Sequence, residues 1–196
     1  SSIAGYNIFW VFNFNLEYNI PTFFSSIGLL ISSILLFSIY RLEPKRSEKL
    51  RYWLSLSLIF LFLSMDEIYS YHERFNDANS IKYIGQAIFD VLGGWSWEIV
   101  YISMLIILIV IFGNFLLNLP KDIKKIFFVS AICFLSGALG CELIYRFYIH
   151  GYHVLFPILY TAEETLELVG VALFNYGLLL YINKISKKNK FNISLL

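Results

Sequence analysis

No nucleophile motif, no glycine-rich phosphate loop and no His-Glu-x-x-His pair occurs in the 196 residues. Acyl-transfer triads, nucleotide cradles and zincin-type metal sites are therefore not signalled. Cysteine is scarce: Cys133 and Cys141 are the two in the chain. They stand eight residues apart on one expected helix, about 12 Å along its axis, which is too far for a disulfide. Both read as free, buried thiols, and no redox compartment follows. The start of the chain lacks a basic region followed by a cleavage site, so no secretory signal is read there. Charge is scarce as well, at 15% of residues with a net of +1, and gives no basis for a nucleic-acid partner. A soluble domain is missing too. The chain is 58% hydrophobic and 19% aromatic with mean hydropathy +0.67, against about 45–50% apolar for soluble domains. The class this leaves is an all-α integral membrane protein.

What is present is apolar sequence in membrane-length runs. Residues 1–19 mix Tyr6, Phe9 and Trp10 with Asn7 and Asn13, a composition suited to the headgroup layer, and read as an interfacial segment. Pro21 opens the first run, over 20–40. Further runs follow over 52–71, 98–118, 126–147 and 160–181, each with roughly the 20 residues a helix needs to cross the hydrocarbon. Pro120 to Lys125 read as a short turn. Residues 20–183 form one five-helix bundle domain, and 184–196 a basic tail with Lys184, Lys187, Lys188 and Lys190. On alternate sides of such a bundle the loops and tail carry 12 basic residues against three (Arg74, Lys82 and Arg146). The positive-inside rule then sets the tail in the cytoplasm and the N-terminus outside.

Against that frame the acids gather at one end. Asp66 and Glu67 close the apolar run from Trp53 to Leu63, where a charge at the bilayer centre costs roughly 2.5–3.5 kcal/mol. Asp66 lies six residues before His72, about 9 Å inside the outer boundary. Glu98 starts the third run, Glu142 and Arg146 end the fourth, and Glu163, Glu164 and Glu167 start the fifth. By helical phase Asp66 and Glu73 share a face, Glu67 lies on the next strip, and Asn175 lies deeper on the Glu164 face. Ser136, Gly137, Gly140 and Cys141 form a small-residue stripe that admits a close neighbour. The expected arrangement is spans two to five around an outward-facing acidic site, with the first span outside them. Spans two–three and four–five read as two outward hairpins in a faint parallel repeat.

Three chemistries fit such a site. Clustered carboxylates with a histidine suit a divalent metal ion, Zn, Fe, Mn, Mg or Ca. Asp66, Glu67, His72, Glu142, Glu164 and Glu167 are then the ligands, with Glu73, Glu98, Arg146, Glu163 and Asn175 in support. A bound metal would activate water toward a lipid or small molecule; no catalytic residue is assigned. The chain has Glu164-x-x-Glu167 but no Glu-x-x-His, so the di-iron pattern of helix bundles is incomplete. The second chemistry is a proton or cation path. The third is plain satisfaction of the acids by Arg74, Arg146, Tyr69 and backbone groups, in a membrane anchor or effector subunit. The expected surroundings are the lipid bilayer of the cell membrane, with a second copy or a partner protein.

Asp66-Glu67, then His72-Glu73-Arg74, then Glu163-Glu164-x-x-Glu167-x-x-Gly170 with Phe174 make up a set. It resembles bacterial multi-pass membrane proteins that share this pattern and have no known activity. The resemblance spans the second to the fifth run. It implies the architecture and the polar positions, and no reaction.

Overall fold

The computed structural model describes residues 20–69, 97–144 and 156–194, and each element in it is a helix. In chain order these are α1 (Ile20–Leu42), α2 (Leu50–Tyr69), α3 (Trp97–Leu117), α4 (Lys121–Leu135) and α5 (Phe156–Ser194). α4 runs on without a break into a wider π turn, Ser136–Cys141, and a last short turn, Glu142–Ile144. Four stretches are long and apolar enough to cross a membrane: Thr22–Leu42, Leu50–Tyr69, Lys121–Cys141 and Pro157–Lys187. Ile102–Leu117 is a shorter apolar helix. The interfacial segment and the two outward hairpin turns lie outside the described residues.

Proline marks where helices begin. Pro21 and Pro157 are each second in their helix and Pro120 immediately precedes α4, positions whose backbone N–H has no intrahelical acceptor to lose. Starting at Lys121, α4 takes in the stretch expected to be a turn. Lys121 to Lys125 are its first helical residues, because nothing after Pro120 breaks the helix. α5 also runs past the expected span, through Lys184 to Ser194, for 39 residues.

The chain divides into two compact units, Ser1–Ile68 with Leu119–Leu196, and Tyr69–Asn118. α3 is the described helix of the second. Near its end the Asn118 amide donates to the Asn114 carbonyl (2.8 Å) and side-chain oxygen (3.1 Å). Asn118 thus turns its amide back onto the preceding turn.

In the first unit α5 packs closely on α1, on α4 and on the π turn. The first span was expected outside the bundle; it lies inside it. Its apolar stretch is 44% buried, against 22%, 22% and 28% for those of α2, α4 and α5. The physical reason is small and polar side chains. Ser26 and Ser64 each donate to the other's backbone carbonyl at 2.9 Å. One heptad on, Ser33 and Ser57 do the same at 2.8 and 2.9 Å. On its other side α1 meets α5 at Gly28, where a Cβ would lie 2.9 Å from Val171 Cγ1. Asn175 Nδ2 donates to the Gly28 carbonyl (3.0 Å), and Ser32 Oγ donates to Asn175 Oδ1 (2.7 Å). Interhelical hydrogen bonds of this kind join helices where lipid supplies no hydrophobic drive.

Candidate functional site: the acidic end of the first unit

The packing fixes how the helices run. Gly28 with Val171 and Ser32 with Asn175 make α1 and α5 parallel. Ser26–Ser64 and Ser33–Ser57 make α2 antiparallel to α1. Ser130 Oγ to the Gly170 carbonyl (2.7 Å) and Lys184 Nζ to Asp122 Oδ2 (2.5 Å) make α4 antiparallel to α5. One end of the unit therefore holds the start of α1, the end of α2, the π turn and the start of α5. That end carries Asp66, Glu67, Glu163, Glu164 and Glu167, and the backbone of Glu142. The other end holds the basic loop, Lys121 to Lys125, and Lys184.

Within the acidic end, direction separates the acids. α2 meets α5 through rings one heptad apart: Trp53 with Tyr181 (centroids 5.0 Å) and Phe60 with Phe174 (4.8 Å). Carried seven residues further along each helix, this register sets Glu67 and Glu167 at the same height. The other two registers agree. Ser26–Ser64 sets Glu67 level with Phe23, and Gly28–Val171 sets Phe23 level with Leu166, next to Glu167. Glu67 thus shares the heptad strip of Trp53 and Phe60, whose rings meet α5. Asp66 is buried, 5% exposed, but it turns about 130° from the Phe60 and Trp53 side, at about 100° per residue.

On α5, Glu163 and Glu167 face α4. A Cβ on Gly137 would lie 2.7 Å from the Glu163 carbonyl and 3.0 Å from Glu167 Cγ. Glycine at 137 therefore leaves the room that the Glu167 stem occupies. Buried Cys141 stands within electrostatic range of Glu163 and Glu167, and Cys133 Sγ reaches the Leu166 carbonyl at 3.4 Å. Glu164 shares its side of α5 with Val171 and Asn175, the side that meets α1. All three α5 acids are half-buried.

The π turn alters the expected small-residue stripe. Gly137 and Cys141 are buried, whereas Ser136 is exposed and bonds back to the Ile132 carbonyl (2.7 Å). The added residue per turn shifts the phase of everything after it. Asn175, expected to support the acids, has its amide taken up by Gly28 and Ser32.

Four helices thus bring acids or small residues to one end. Among the described residues no group of three or more His, Cys, Asp or Glu is arranged to hold a metal ion. His72, Glu73 and Arg146 lie outside the described residues. Glu142 is described as helical backbone, and so is Glu98, which belongs to the other unit. The shared register of Glu67 and Glu167 is what residue-by-residue reading missed. Its signal was in the sequence as two heptad series, Trp53–Phe60–Glu67 and Glu167–Phe174–Tyr181.

No curated protein matches the chain, and no solved structure does. A family model matches residues 6–182, and the chain belongs to that family, described as a domain of unknown function, DUF8692.

Proposed function

We propose that this is a multi-pass cell-membrane protein that binds a hard divalent cation between Glu67 and Glu167, at an end turned away from the cytoplasm. What supports the reading is the ring ladder between α2 and α5, whose register one heptad on gives Glu67 and Glu167 the same height. Two carboxylates suffice for Mg²⁺ or Mn²⁺, which keep several waters, whereas a zinc site takes three or four protein ligands. Elemental analysis of purified protein tests this. A stoichiometric ion is expected, with melting lowered by chelator and apparent affinity weakened by about 10- to 100-fold or more in Glu67→Gln and Glu167→Gln. No retained ion and unchanged melting in chelator would reject it.

A second reading rests on the same shared register of two carboxylates. Facing carboxyls can share one proton in place of a metal, so the pair would serve proton or cation movement. Proteoliposome flux abolished by Glu167→Gln, with no metal dependence, would select this reading; flux equal in wild type and variant would exclude it.

A further inference from the structure

The opposite end of the first unit is the second concentration of charge. The loop from Arg41 to Arg51 carries five basic residues, the first turn of α4 three, and α5 four at Lys184, Lys187, Lys188 and Lys190. Three acids accompany these twelve: Glu43, Glu48 and Asp122. Two of the acids are engaged within the protein. Tyr181 donates to Glu43 Oε1 at 2.8 Å, and Lys184 Nζ holds Asp122 at 2.5 Å. Those same bonds tie the loop and α4 to α5, so the three basic segments stand side by side. Lys45, Arg46, Lys121, Lys125 and Lys187 are all exposed. Lys121, Lys124 and Lys125 also lie in the first turn of α4, where the helix dipole disfavours cations. Pro120 before them offers no side-chain cap. This end therefore has a cation excess that its own acids leave uncancelled, set where the apolar helices meet the headgroup layer.

We propose that the basic end binds anionic phospholipid headgroups, so that the protein collects acidic lipid around one end. The excess positive charge, the exposure and the position at the ends of apolar helices are all complementary to a negatively charged leaflet. The proposal stands independently of the acidic site and of which way the protein is inserted, since either leaflet can carry acidic lipid.

The test uses the full chain reconstituted in phosphatidylglycerol–phosphatidylcholine membranes, with retained lipid counted by native mass spectrometry after mild detergent extraction. Phosphatidylglycerol should be retained several-fold over its share of the membrane, and the enrichment should fall at high salt. The combined variant Lys45→Gln, Arg46→Gln, Lys121→Gln, Lys125→Gln should lose most of the enrichment while melting like wild type in pure phosphatidylcholine. Lys184 is left intact because it holds Asp122. Retention in proportion to the membrane mixture overturns the proposal, as does unchanged enrichment in a variant that melts normally. If millimolar inorganic phosphate displaced the lipid, the end would be a phosphate site rather than a lipid surface, and the proposal would fall. If the variant unfolds, single substitutions at Arg46 and Lys125, each exposed, give the same readout.

Discussion

At the residue scale, three glycines separate close packing from mere helix. A Cβ at Gly170 would lie 2.8 Å from the Phe134 backbone nitrogen, and one at Gly137 would lie 2.7 Å from the Glu163 carbonyl. Backbone cannot step aside as a side chain can. Gly137→Ala and Gly170→Ala should each therefore destabilise by about 1–3 kcal/mol, the usual cost of overpacking. Gly113 has nothing within 4 Å, so Gly113→Ala should be neutral or should stabilise by up to about 1 kcal/mol through helix propensity. Thermal melting in one detergent checks all three, and equal effects would mean that the α4–α5 contact is not close. The same contact bears on Glu167, whose stem passes Gly137. Gly137→Ala should weaken cation binding more than its effect on melting explains, by titration of the purified protein with Mn²⁺.

Residue-level reading put the acids at one end and left open which neighbour each one faces. It gave Asp66 and Glu67 equal weight, because both follow one apolar run. Their difference is one of phase against a partner helix, and the partner's register is invisible until α5 is in place. Asn175 failed in the same way: sharing a face with Glu164 was correct, but α1 was the neighbour on that face, and its Gly28 carbonyl took the amide.

At the element scale, α1 is the informative helix. Ser26 and Ser33 face α2, Gly28 and Ser32 face α5, and Thr22, Ser25, Leu29 and Leu36 fill the arc between and are buried. Phe23, Phe24, Ile31, Ile34 and Phe37 lie on the remaining arc and are exposed, as a lipid-facing side requires. Each serine pair holds two reciprocal bonds, so Ser26→Ala removes one and leaves Ser64 bonded to the carbonyl of residue 26. The expected loss is about 0.6 kcal/mol, the average for membrane interhelical bonds. Combining it with Ser64→Ala should show coupling in a double-mutant cycle. Strict additivity would mean that the pair does not act as a unit. The sequence displayed these serines at heptad spacing, yet a serine in a membrane helix bonds equally well to its own preceding turn, as Ser38 does to the Ile34 carbonyl. Only a neighbour at the right distance decides between the two.

At the scale of the whole molecule, the first unit is a charged axis, with acids at one end and bases at the other. α5 spans it and continues: 39 residues make about 58 Å, nearly twice the roughly 30 Å of hydrocarbon. The surplus lies at the basic end, since Leu42, the last residue of α1, is level with Ile185 in the Gly28–Val171 register. Charge bias predicts a cytoplasmic basic end. Lys45→Cys should accordingly react with a membrane-impermeant maleimide in permeabilised cells and not in intact ones, and the reverse pattern would invert the orientation.

The sequence by itself determined that the chain is helical and membrane-type, roughly where each helix runs, and that acids and bases would part to opposite ends. Composition and run length suffice for this, because lipid accepts no unsatisfied backbone and few charges. Tertiary structure alone decided that the first helix belongs inside, that the π turn rephases the end of α4, and that Asn175 bonds to α1. Those outcomes turn on which side of a helix finds a partner close enough for a serine, a glycine or a ring to reach, and a single chain of letters holds no such distance.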